Sequence, residues 1–195
     1  PVVSVLGNHD YHSGLESEAG SILNGHGVIV LEGTSKILDI GGTRVGVVGL
    51  KGFGGGFGGA CATEFGEHET KVFARYAREQ SRVLQSKLES LKHEGADFRF
   101  VLLHYSPVEG TLLGEKREIY PFLGSYHFAE AIDAVGADGV FHGHAHFGTE
   151  RATTPGGVPV RNVAQMVIRH AYKVYNFDRG VGETERLGSP SLLER

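Results

Sequence analysis

Phe141-His142-Gly143-His144-Ala145-His146 ends a short apolar run that begins at Gly139, and its reading decides the fold. Two partners stand far off in sequence: Gly7-Asn8-His9-Asp10 near the start and Leu102-Leu103-His104 in the middle. Each block lies at the end of a run that reads as a buried strand, over residues 2–6, 98–103 and 139–141. In an open, mostly parallel sheet, ligands bind outside the carboxyl ends of the strands. Three such ends bring one Asn and several His side chains to a common rim. That is the composition of a metal site. Imidazole and carboxamide donors suit zinc, iron, manganese or cobalt in mixed nitrogen and oxygen shells.

Working outward, residues 28–31, 37–40 and 44–50 read as strands, the last two joined through Gly41-Gly42-Thr43 as a hairpin. A helix is expected from a Ser13 cap to about Leu23, with Glu16 as the capping-box partner. Val72, Phe73, Tyr76, Ala77, Val83, Leu84, Leu88 and Leu91 recur at helical steps within residues 67–92, which gives the longest amphipathic helix. Phe73 and Tyr76 read as core. Residues 126–135 form a second helix closed by Gly136, and residues 158–163 and 171–177 read as two last strands. The polar stretch 180–195 reads as a mobile tail.

The run Gly52-Phe53-Gly54-Gly55-Gly56-Phe57-Gly58-Gly59 is too rich in glycine for a helix or a central strand. No Gly-Lys-Ser or Gly-Lys-Thr follows, so it is not a P-loop. It reads as a flexible surface loop walling the cleft. Residues 107–122 show little periodicity and read as a loop over the active face. Strands alternating with helices give an α/β class, and 195 residues give a single domain over 1–195.

Composition narrows the function. Charge is slightly negative, with 23 acidic against 19 basic residues, so no nucleic-acid footprint or polybasic membrane patch is expected. The single cysteine, Cys61, has no internal disulfide partner, which fits a reducing, cytoplasmic location. No apolar run approaches the length of a membrane span.

The order GNHD, then a strand ending in His, then GHAH resembles the later signature blocks of the calcineurin-like metallophosphoesterases. The likeness covers residues 2–174, and the two earlier blocks of that family, D-x-H and G-D-x-x-D, are not in the chain. It implies a four-layer α/β/β/α sandwich of two packed mixed sheets, here the C-terminal two-thirds without the N-terminal βαβ portion. It also implies two divalent metal ions (manganese, iron, zinc or cobalt). Asn8, His104 and His144 would bind one metal and His146 the other, with the bridging Asp expected in cis from the absent blocks. His142 reads as a structural or supporting residue, because the family has a small or apolar residue there. His12 stands where some cyclic-nucleotide-cleaving relatives carry Arg.

The chemistry implied is in-line attack by a metal-bridging hydroxide on a phosphomonoester or phosphodiester. His9 is the candidate general acid for the departing alkoxide, and Asp10 the carboxylate that fixes its tautomer. Ser106 is not in a G-x-S-x-G turn and gets no catalytic role. The partner expected is a small phosphoester. The rival readings are a non-catalytic interaction module on the same fold and a nuclease of the superfamily.

Overall fold

Apolar β-branched runs broken by glycine set the strand boundaries. The computed structural model describes residues 1–178 and 182–184. In chain order it contains β1 (Val2–Ser4), α1 (Glu16–Gly25), β2 (Val28–Val30), β3 (Thr34–Ile40), β4 (Thr43–Leu50), β5 (Gly56–Phe57) and β6 (Ala60–Cys61). Then follow α2 (His68–His93), β7 (Phe98–Leu103), α3 (Tyr120–Leu123), α4 (Tyr126–Val135), β8 (Gly139–His142), β9 (Arg151–Thr153), β10 (Pro159–Asn162), α5 (Gln165–Ile168), β11 (Asn176–Asp178) and β12 (Gly182–Thr184).

A mixed six-stranded sheet runs in the order β3-β4-β7-β8-β10-β9. Its centre, from β4 to β10, is parallel, and the two edge strands are antiparallel. The β3–β4 hairpin turns on Gly41 and Gly42, with φ of +60° and +82°. Two left-handed residues in a row match the twist of paired strands. Helices α2 and α4 cover one face, where Val48, Leu84, Leu88, Val101, Phe128, Ile132 and Val140 form the core. On α4, the Ser125 hydroxyl caps the first turn by accepting from His127 N–H, and Gly136 at φ +88° ends the helix.

The opening strand departs from the sequence reading. Residues 2–6 do not supply a central strand of the main sheet. β1 pairs in parallel with β2 in a separate two-stranded sheet, and Val2 is 61% exposed. This second sheet packs on β4 at Gly49, where an added Cβ would stand 2.6 Å from Leu31 Cβ and 2.7 Å from Val5 Cγ1. Asn8 therefore reaches the rim from another layer than His104 and His144.

Other expectations shift as well. The Ser13 capping box does not form; α1 starts at Glu16 after Leu15, with no side-chain cap. On α2 the buried stripe is Ala74, Ala77, Ser81, Leu84, Leu88 and Leu91, while Val72 and Tyr76 are exposed. The glycine run is not a loose surface loop. Gly52 and residues 54–57 are buried, and Gly55 and Gly56 donate backbone hydrogen bonds to Pro121 and Gly124. A Cβ on Gly54 would meet the Pro121 carbonyl at 2.4 Å, so glycine here permits tight docking. Residues 107–122 hold two 3-10 turns and the start of α3. Of residues 171–177 only the end is strand, in β11. The expected tail, apart from the β12 backbone, lies outside the described residues.

β8 ends on His142, which is 1% exposed. Its Nδ1 lies 2.8 Å from the Gly143 carbonyl, and its Nε2 lies 2.8 Å from Thr111 Oγ1. A carbonyl only accepts, so the proton sits on Nδ1 and the neutral ring accepts from the Thr111 hydroxyl at Nε2. Burial pushes the pKa of His142 down to about 4.

Gly49→Ala should cost about 1–3 kcal/mol by forcing the small sheet off β4. Gly20→Ala, in α1 with open space around it, should gain up to about 1 kcal/mol. Denaturant unfolding of the two variants checks both. For His142 the unfolded chain binds the extra proton between about pH 6.5 and 4, so stability is intact above that window and falls as pH drops through it. The full fall from this group is about 3 kcal/mol. His142→Asn should flatten the pH profile by that share, and an unchanged slope would contradict the assignment.

Candidate metal centre

Three parallel strands end level with one another. The register pairs Leu50 with Leu103 and Leu102 with Phe141, so the residues that follow, Lys51, His104 and Gly143, stand side by side. The hydrogen-bond ladder continues past the strands. His104 N–H donates to the Lys51 carbonyl at 3.0 Å, and Gly143 N–H to the His104 carbonyl at 3.2 Å. His144 then turns outward with φ +65°, one of two non-glycine residues with positive φ among those described. Such strained residues cluster at functional sites.

Three of the six residues singled out from sequence, Asn8, His104 and His144, are close neighbours. His104 Nε2 lies 2.7 Å from Asn8 Oδ1, and the His104 and His144 rings are 4.7 Å apart between centroids. His9 and His146 lie within electrostatic range of His144. Both are exposed, whereas Asn8, His104 and His144 are partly buried. Asp10 lies within electrostatic range of His104, but its carboxylate accepts from Gly7 N–H at 2.6 Å and makes no hydrogen bond with the His9 ring. His146 borders a cavity of about 660 Å³ lined also by Phe147, Gln165, Met166, Arg169 and His170.

Electrostatics keeps the inner imidazoles neutral. Burial, then the His144 and Lys51 charges, push His104 down to about 3. Burial also lowers His144, against the hydrogen bond from its ring to the Phe122 carbonyl. That bond, 3.1 Å from Nε2, places the proton on Nε2 and leaves the Nδ1 lone pair available. A metal needs such neutral rings, since protonated ones cannot ligate. The donors present thus fit the neutral part of a divalent-cation shell. Among the described residues no three His, Cys, Asp or Glu side chains close on one point; the converging trio is two imidazoles and a carboxamide.

Sequence reading missed a second group beside these donors. The Lys51 ammonium sits 4.7 Å from the Tyr11 ring centre, 5.3 Å from Phe53 and 5.5 Å from Tyr105. The Tyr105 ring in turn lies 4.4 Å from that of His144. Lys51 follows an apolar strand as His104 does, so the signal that marked the histidine also marked the lysine.

A family model for calcineurin-like phosphoesterases matches residues 1–148. Among solved structures, the chain is similar to a "Putative 5'-Nucleotidase" from Staphylococcus aureus in complex with alpha-ketoglutarate. The identity is 20% and the TM-score 0.53, with 85% of this chain and 32% of that chain covered. It is also similar to a 5'-nucleotidase precursor from Thermus thermophilus, at 18% identity and TM-score 0.48, covering 83% and 32%. The chain spans about a third of the length of these structures, and at 20% identity the first likeness concerns the fold. No curated protein matches the chain. The family model covers three quarters of the sequence, including all three blocks, and the chain belongs to the calcineurin-like phosphoesterase family.

Proposed function

We propose that the protein is a metal-dependent phosphoester hydrolase and that residues 1–195 belong to one such domain. The observation that carries this is the convergence of Asn8, His104 and His144 from two sheets onto one rim. In this reading these three hold one divalent cation, with manganese, iron, zinc or cobalt as suited ions, and His146 holds a second. Bound divalent cations supply Lewis-acid charge to the phosphoryl group and acidify water toward neutral pH.

The chain's own residues do the rest. Asn8 and the two inner imidazoles fix the rim against the phosphoryl group. His9 is exposed beside them and donates a proton to the departing ester oxygen. Asp10, bonded to Gly7 N–H, holds the turn that carries His9. The cavity beside His146 has room for the alcohol portion of the ester, with the Arg169 and Gln165 side chains for polar substituents and Phe147 and Met166 for apolar ones. The substrate proposed is a small phosphoester. Among the described residues no helix is long and apolar enough to cross a membrane.

The test is turnover of an aryl phosphate by the full-length protein. Activity should vanish with chelator and return with manganese. His104→Ala and His144→Ala should lose both activity and bound metal. His9→Gln should lower kcat by about 10²–10⁴-fold with metal content unchanged. No turnover with any divalent cation would overturn the reading.

A further inference from the structure

The Lys51 ammonium is partly buried at the rim, yet makes no ion pair or hydrogen bond among the described residues. Its nearest carboxylate in electrostatic terms, Glu32, is already engaged. Glu32 Oε2 accepts from the Tyr11 hydroxyl at 2.7 Å, and Oε1 from Leu6 N–H at 3.0 Å. What surrounds the ammonium is aromatic: Tyr11, Phe53 and Tyr105. Ring faces hold a cation in place without neutralising it. Rigid backbone fixes the base of the side chain, because the Lys51 carbonyl accepts from both His104 and Tyr105 N–H. Gly52, at φ +76°, packs its Cα side against Tyr105 and Phe128. A held, unpartnered cation next to the candidate metal donors is arranged for an anion that arrives from solution.

We propose that Lys51 recognises the substrate's phosphoryl group by donating to one of its terminal oxygens, and that it thereby favours phosphomonoesters over phosphodiesters. This rests on the hydrolase reading above. A diester has two non-bridging oxygens and one negative charge. A monoester has three terminal oxygens and, near neutral pH, close to two charges. Where cations of that reading would take two oxygens, only the monoester would keep a charged oxygen for the ammonium. A charge-assisted bond of that kind is among the stronger ones available to a protein.

The experiment compares wild type, Lys51→Met and Lys51→Arg in the full-length protein. Hydrolysis of para-nitrophenyl phosphate and of bis-para-nitrophenyl phosphate is measured with manganese. Binding of inorganic phosphate is measured by calorimetry with and without manganese. Lys51→Met should lose about tenfold or more in kcat/KM on the monoester, chiefly through KM, and less than about threefold on the diester. Its phosphate affinity should fall by about the same factor, and Lys51→Arg should keep most of both. Equal losses on the two esters, or unchanged phosphate binding, would overturn the proposal and leave Lys51 as a packing residue. If wild type turns over neither ester but binds phosphate in a Lys51-dependent way, the hydrolase reading falls and the anion site stands. If it neither turns over nor binds phosphate, both fall.

Discussion

The placement of the His104 ring depends on the glycine at residue 7. A Cβ on Gly7 would come within 2.9 Å of His104 Cε1 and 3.0 Å of Nδ1, whereas one on Gly143 would make an ordinary contact at 3.9 Å. Contacts under about 3 Å are repulsive at the packing density of a protein interior. Any side chain at residue 7 would push the ring away from Asn8 Oδ1, its 2.7 Å partner. Gly7 lies on the segment that follows β1 of the small sheet, and His104 directly follows β7 of the main sheet. The site is thus formed only when both layers close on His104. The packing of Gly49 against Leu31 and Val5, which fixes the two sheets relative to each other, belongs to the same constraint.

Desolvation works in one direction across the rim. His104, His142 and His144 all have depressed basicity, with burial the largest cause at each. The three rings have different work. His142 is closed off by Thr111 and Gly143 and supports the turn from below. His144 stands above it in a left-handed conformation that costs a non-glycine residue about 1–2 kcal/mol. The surroundings offset that strain. The ring bonds to the Phe122 carbonyl, Ala145 is fully buried, and the Ala145 carbonyl accepts from Asn162 Nδ2 at 2.7 Å. The segment before Phe122 therefore shapes the site as well as covering it.

Much of this was legible in the residues. The strand before His104 and the strand that ends on His142 show as apolar runs, and α4 and the Gly41-Gly42 hairpin show through caps and turn residues. What failed did so for physical reasons. A glycine run looks the same in sequence whether it is loose or docked, because the missing side chain serves both states. Residues 54–57 are docked. A short β-branched run such as Val2–Ser4 announces a strand but not its sheet, since partners are set by tertiary packing. Ser13 had the right spacing to Glu16 for a cap, yet the chain turns through residues 8–14 to carry the site loop, and that turn delays the helix. Lys51 also stands at a strand end, but a lysine there is ordinarily a solvated charge.

The central claim is that Asn8, His104 and His144 share a cation. Anomalous diffraction from crystals of the full-length protein soaked in manganese tests it directly. The account predicts a peak within bonding distance of Asn8 Oδ1, a His104 ring nitrogen and His144 Nδ1, with the present Asn8–His104 hydrogen bond replaced by two metal bonds. A peak remote from these atoms, with Asn8 and His104 still bonded to each other, would contradict it.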